Sequence, residues 1–112
     1  MMKNENDKAK DAESKSCCER HKNTPRSQEM QADLTRRLNR AIGQLNGVKG
    51  MIDDNRYCGD VLVQLSAVKS AIRSIERIVL ENHLQTCVVE EIRKGNDEIV
   101  TEAMDLIRRV AK

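Results

Sequence analysis

Two cysteines and one histidine in the second half of this chain form its most chemically suggestive set of side chains. His83 follows Cys58 by 25 residues, and Cys87 follows His83 by four. Two thiolates and one imidazole make a soft three-donor set: thiolates favour Cu(I) and imidazole is compatible with it, whereas Zn²⁺ usually takes a fourth ligand, which no nearby residue is spaced to supply. A buried structural cysteine with a satisfied histidine, or a pair of redox-active thiols, would explain the same residues. The spacing alone leaves these three explanations open.

One long predicted helix carries all three residues. Apolar residues between positions 57 and 91 recur in alternating steps of four and three, which is typical of an amphipathic helix that packs against other helices. We expect this helix to begin at Cys58 and to run to about Lys94, with Gly95 as a left-handed cap. His83 and Cys87 then share one face, one turn apart.

A continuous helix separates Cys58 from His83 too widely for both to bind one ion. At about 1.5 Å per residue the two lie roughly 37 Å apart. An antiparallel second copy would bring its Cys58 beside His83 and Cys87 of the first, with the helices crossing near residue 71, where the side chains are small. A two-fold dimer would therefore hold two equivalent sites, each shared between copies.

The rest of the chain predicts an all-α protein with a three-helix protomer. A first helix is expected from Glu29 to Asp53 after the cap Ser27, and a third helix after Asn96-Asp97; no strand pattern is present. With 112 residues, one aromatic residue and single apolar stripes, the chain is one small domain that cannot bury enough surface alone. We therefore expect an obligate oligomer built on an antiparallel four-helix-bundle dimer.

Residues 1–26 form a predicted disordered tail, because they are polar, charged and without periodicity. Within the tail, Cys17, Cys18 and His21 are candidate accessory metal ligands, although an incidental cluster is the simpler explanation. No apolar run reaches membrane-spanning length, so we expect a cytoplasmic protein with no membrane association and reduced thiols. No acid–base pair or phosphate-binding loop suggests an enzyme.

Basic residues on the polar faces of the helices are candidate DNA contacts. The second helix carries Lys69, Arg73 and Arg77 at intervals of four, and the first helix carries Arg37 and Arg40. A solvated helix face is the alternative explanation, because the net charge of the chain is only +2. Binding to DNA would have to use phosphate contacts from a broad oligomer surface.

Several of these segments together resemble the copper-sensitive operon repressors. The resemblance covers residues 27–112 and rests on RLNRAIGQLNG at 37–47, Tyr57-Cys58, QLSAV at 64–68 and His83-x3-Cys87-Val88. It implies an all-α homotetramer, a dimer of dimers, which represses copper-efflux genes until Cu(I) binding weakens its hold on operator DNA.

The resemblance also assigns roles by position. Cys58 of one subunit with His83 and Cys87 of another match the Cu(I) ligands; Tyr57 and Glu102 match residues that support the ligand histidine. Arg37, Arg40 and Arg73 match or neighbour the family's DNA-binding positions. The long N-terminal tail with its cysteines departs from the shorter copper sensors.

Three other functions remain as alternatives. A persulfide sensor of the same superfamily needs the two cysteines but no histidine at position 83, so His83 favours metal. A nickel or cobalt sensor would prefer harder nitrogen donors than Cys87. A cytosolic copper-buffering protein would not need the row of basic residues Lys69, Arg73 and Arg77, which therefore favours a regulator.

Overall fold

The computed structural model describes residues 20–112, which form helices and no strand. Helix α1 spans Gln28–Asp53, α2 spans Cys58–His83, a π-helical turn spans Leu84–Val88, α3 spans Val89–Arg93 and α4 spans Glu98–Ala111. The described part of the chain has no helix long and apolar enough to cross a membrane. The predicted all-α, three-helix protomer is confirmed, with α2, the π turn and α3 together forming the predicted second helix.

The helix ends lie where the capping residues predict them. Ser27 Oγ accepts a hydrogen bond from the backbone N–H of Met30 at 3.1 Å, which satisfies a free donor in the first turn of α1. Gly95 has a φ of +89°, and its N–H donates to the Ile92 carbonyl at 2.9 Å. The left-handed backbone of Gly95 ends α3. Glycine suits this position because a side chain at this φ would be strained.

The loop after α3 is held by side chains. Asn96 Nδ2 donates to Glu91 Oε1 at 2.8 Å, and this hydrogen bond lowers the pKa of the Glu91 carboxyl below its ordinary value. Asp97 occupies the N-cap position of α4 as predicted, but its side chain makes no capping hydrogen bond.

Helices α1 and α2 pack as a hairpin that buries only part of the predicted apolar seams. Leu34, Ala41 and Val48 of α1 and Val68 of α2 are buried. Other seam residues of both helices, however, remain between two- and three-fifths exposed: Leu38 47%, Leu45 45%, Ile52 59% and Ile72 42%. A single chain therefore leaves a large part of its apolar helix surface uncovered.

The π turn interrupts the expected continuous second helix directly after His83. Within it, the Thr86 hydroxyl donates to the Asn82 carbonyl at 2.7 Å. Such bonds from a threonine to the backbone one turn earlier compete with the regular helical pattern. On its other side the turn packs on α4, where a small core consists of Val88, Ile99 and Ala103 with Leu84 beside them.

Residues 20–26 lie against the π turn and its neighbours. Lys22 contacts the π turn, Thr24 Oγ1 hydrogen bonds to Glu90 Oε2, and an Arg20 guanidinium nitrogen lies 3.6 Å from Glu102 Oε2. We call residues 20–26 the strap. They are the last part of the predicted disordered tail, and the composition of the tail gave no reason to expect these contacts. Residues 1–19 lie outside the described part.

Candidate metal centre

His83 and Cys87 lie together at the junction of α2 and the π turn. Both side chains are half-buried, and both line two cavities of about 380 and 470 Å³. His83 Nε2 is buried and has no hydrogen-bond partner in the described part of the chain. A buried nitrogen without a partner is costly unless something binds it.

Cys58 stands at the opposite end of the same helix. Its side chain is exposed at the first residue of α2, a helix of 26 residues that ends at His83. At about 1.5 Å per residue the two side chains are roughly 37 Å apart. Within residues 20–112 of one chain, no group of three or more His, Cys, Asp or Glu side chains lies close enough to hold a metal ion. The structure thus brings His83 and Cys87 together and keeps Cys58 away from them.

The donor set nevertheless fits a soft monovalent metal. A thiol and an unpartnered imidazole nitrogen one turn apart offer one soft donor and one donor compatible with Cu(I), and an exposed cysteine on another copy can supply a second soft donor. Thiolate donors of this kind suit Cu(I) better than they suit hard cations.

The strap supplies a contact to this site that the sequence did not predict. Lys22 Nζ donates to Asn82 Oδ1 at 3.0 Å, to Thr86 Oγ1 at 2.9 Å and to Cys87 Sγ at 3.2 Å. These three bonds use all three donors of the ammonium group. A lysine in a polar tail carries no pattern that could reveal this contact in advance.

The residues that the resemblance assigns to the surroundings of the site lie in different places. Tyr57 is 75% exposed at the start of α2, and its ring covers Gly59, far from His83 of the same chain. Glu102 and His21 line the 470 Å³ cavity together with His83 and Cys87. No hydrogen bond joins Glu102 to His83 within the described residues, so its predicted supporting role stays a prediction.

Only one of the three accessory metal candidates lies within the described residues. Cys17 and Cys18 lie outside the described residues, whereas His21 is exposed on the strap. Their proposed accessory metal role therefore stays a prediction, with only His21 located near the main pair.

The basic residues that are candidate DNA contacts are all exposed. Arg37 Nε lies 3.0 Å from Asp33 Oδ2 on α1, and Arg73 Nη2 donates to the Lys112 carbonyl at 3.4 Å. Arg73 and Arg77 both border a small hollow beside the end of α4. The other two, Arg40 and Lys69, are exposed on α1 and α2. Exposure leaves these groups available for phosphate contacts but does not assign them that role.

Comparison with known proteins decides the family. The model of the family described as metal-sensitive transcriptional repressor matches residues 30–109. The chain belongs to this family. Its members are transcriptional repressors and not enzymes, which confirms the expectation that the chain is no enzyme and agrees with a protein that acts on DNA.

Relatives within the family are copper sensors by name. The chain is 38% identical over 80 residues to the copper-sensing transcriptional repressor CsoR of Bacillus subtilis, and the aligned region covers 70% of this chain and 79% of that protein. It is 39% identical over 83 residues to the copper-sensing transcriptional repressor RicR of Mycobacterium tuberculosis, with 71% and 86% covered.

Two solved structures share the fold. The crystal structure of the copper-sensing repressor CsoR with Cu(I) from Geobacillus thermodenitrificans is similar with a TM-score of 0.74 and 41% identity, over 84% of this chain and 99% of that one. The nickel-responsive transcriptional regulator InrS is similar with a TM-score of 0.60 and 32% identity, over 80% and 99%. The likeness to the copper sensor is the greater of the two in both measures.

Proposed function

We propose that this metal-sensitive repressor is a Cu(I)-responsive transcriptional repressor. It binds operator DNA when metal-free and is released when Cu(I) binds, and it controls genes for copper efflux. The observation that carries the proposal is the soft donor set of Cys58, His83 and Cys87 on one helix, in a chain that is 41% identical to a Cu(I)-containing repressor. Bound Cu(I) would be held by two thiolates and one imidazole, a donor set that suits it.

The site is shared between two copies of the chain. Cys58 comes from one copy, and His83 with Cys87 comes from the other, because the length of α2 keeps Cys58 away from the other two residues within a single chain. The exposed apolar seam residues of α1 and α2 support this arrangement, since an antiparallel partner would cover them. Two such dimers associate into a homotetramer.

Operator binding uses the basic residues of α1 and α2. Arg37, Arg40, Lys69, Arg73 and Arg77 are exposed and contact phosphates over a broad surface of the oligomer. Residues 27–112 thus form one domain that both senses the metal and binds DNA in the cytoplasm, following a tail of residues 1–26.

His83 links the two activities. One ring nitrogen holds the metal, and the other is available to Glu102 of α4, which lines the same cavity, or to Tyr57 of another copy. A ligand shifts DNA affinity only as far as its own affinities for the two protein states differ. A histidine connected to α4 supplies such a difference, whereas the thiolates supply most of the affinity for Cu(I).

The test is the affinity of the full chain for the promoter DNA upstream of its own gene, measured by fluorescence anisotropy without oxygen. Saturating Cu(I) should weaken binding by at least about tenfold, which is about 1.4 kcal/mol of coupling. Ni²⁺ and Zn²⁺ at the same concentration should have little effect.

Two outcomes would contradict the proposal. Release by an inorganic polysulfide but not by Cu(I) would indicate a persulfide sensor with the same two cysteines. Tight Cu(I) binding by a chain that has no affinity for this DNA at any salt concentration would indicate a copper buffer.

A further inference from the structure

The ammonium group of Lys22 sits in a built acceptor site formed by α2 and the π turn. Its three acceptors are Asn82 Oδ1, Thr86 Oγ1 and Cys87 Sγ, at 3.0, 2.9 and 3.2 Å. The Thr86 hydroxyl gives its own proton to the Asn82 carbonyl at 2.7 Å, so its lone pairs are free to accept from Lys22. Two of the three bonds are therefore independent of Cys87 and hold the ammonium beside the sulfur.

Lys22 reaches the sulfur from the flank of the metal-binding face. Asn82 and Thr86 each precede His83 and Cys87 by one residue, so their row is rotated by about 100° around the helix axis. An ammonium held by this neighbouring row contacts Cys87 Sγ from beside the row that carries His83 and Cys87. Lys22 also lines both cavities that these two side chains share.

The charge of the proposed site explains why a cation belongs there. Two thiolates and one Cu(I) leave one negative charge in excess, and burying an unbalanced charge, even partly, is costly. A lysine ammonium at hydrogen-bond distance from one of the thiolates balances that charge. A charge-assisted N–H···S bond also fixes the direction of the sulfur, as other groups around metal ligands do.

We infer that Lys22, outside the helices, is a positioning residue for the metal ligand Cys87. It orients Sγ and offsets the excess negative charge when Cu(I) is bound, and Thr24–Glu90 and Arg20–Glu102 hold the strap in place on either side of it. This inference rests on the proposed function, because it assumes Cys87 as a ligand. It predicts that the strap is held more firmly in the metal-bound protein than in the metal-free one.

The first experiment measures Cu(I) affinity of the full chain by competition with a chromogenic Cu(I) chelator. Lys22→Leu should weaken Cu(I) binding by about tenfold, equivalent to about 1.4 kcal/mol, which is close to the lower end of the range for a hydrogen bond to a charged group. Lys22→Arg keeps the positive charge and should recover part of the loss.

Lys94→Leu is the matched control. It removes a lysine seven residues after Cys87 whose ammonium lies 3.5 Å from Glu91 Oε2 and makes no bond to the sulfur. This variant should stay within about twofold of wild type, since exposed charges are screened by salt. Lys22→Leu with wild-type or tighter affinity would overturn the inference, and tighter binding would make Lys22 a competitor of the metal.

The second experiment follows trypsin cleavage after Lys22 by mass spectrometry, with and without Cu(I). Cleavage requires the lysine side chain to leave its site, so its rate reports the population of released strap. Cu(I) should slow this cleavage. Unchanged or faster cleavage would overturn the inference.

The proposed function and the role of Lys22 fail in distinguishable ways. If wild-type protein does not compete with the chelator for Cu(I), the proposed function itself is wrong. If wild type binds Cu(I) and leaves DNA normally while Lys22→Leu behaves identically, only the role of Lys22 is wrong.

Discussion

Mixed oligomers of two defective chains give the sharpest test of a site shared between copies. Cys58 begins α2, and Cys87 lies in the π turn beyond its other end. Along a helical rise of about 1.5 Å per residue the two thiols are about 43 Å apart in one chain. A Cys58→Ala chain keeps His83 and Cys87, whereas a Cys87→Ala chain keeps Cys58. Neither chain forms a complete site with a copy of itself.

The expected yield of restored sites follows from two-fold symmetry. Refolding equal amounts of both variants makes about half of the dimers mixed, and each mixed dimer has one complete site and one empty of both thiols. Total tight Cu(I) binding should therefore return to about a quarter of the wild-type value. Mixed dimers isolated with two different affinity tags should bind one Cu(I) each.

The assay is retention of Cu(I) against a chelator strong enough to strip the single variants. Each variant alone serves as the control and should retain almost none. If isolated mixed dimers retain no more Cu(I) than the single variants, the shared site is refuted. If Cys58→Ala alone retains the full wild-type amount, Cys58 is not a ligand at all.

Substitutions at four other positions test the metal-driven switch, the DNA contacts, the small core and the response to acid. His83→Ala should still bind Cu(I), more weakly, yet remain largely on DNA when saturated; full Cu(I)-driven release in fluorescence anisotropy would leave the thiolates as the whole switch. Arg73→Ala should weaken DNA binding with unchanged Cu(I) affinity and reduce the slope of log affinity against log salt by about one. An unchanged slope would mean that Arg73 is an ordinary solvated residue that does not contact DNA. Ile99→Ala should cost about 2–5 kcal/mol in urea unfolding at fixed protein concentration, whereas the exposed Val100→Ala should cost much less; equal losses would contradict the core assignment. Folding lowers the pKa of Glu91, so the ionised carboxylate stabilises the fold above the unfolded pKa, and this stabilisation is lost as pH falls through the folded pKa. Glu91→Gln should therefore reduce the fall of the melting temperature in acid. An unchanged dependence of the melting temperature on acid pH would contradict this.

The helices were predictable because each is marked by local chemistry. Ser27 and Gly95 sit at helix ends for reasons that hold in any fold: a side-chain acceptor at one end and a left-handed backbone at the other. The separation of Cys58 from His83 followed from helix length alone. The pairing of His83 with Cys87 followed from their spacing.

Other features depend on contacts that no local pattern encodes. The π turn lies where Thr86 bonds to the backbone one turn earlier while Val88 packs on α4. The spacing of apolar residues in this segment predicts an ordinary α-helix. The place of Lys22 depends on a three-dimensional acceptor site that brings together residues sixty or more positions apart in the chain. The apolar seams of the first two helices were predicted correctly. The spacing of apolar residues along a helix does not indicate, however, which of them pack within the same chain and which stay exposed.

The π turn lets the spacing of the His83–Cys87 pair vary separately from the helical support beneath it. A π turn holds one more residue than the α-helical turn that could replace it. Deleting one residue within 84–86 would therefore let α2 continue as a regular helix into α3, with the residues after the deletion in nearly the same rotational position. Val88 would go on packing against α4, whereas the cysteine would stand three residues after His83 instead of four. Evolution can therefore change the separation of these two side chains by one residue within this turn without dismantling the packing of the helix that follows.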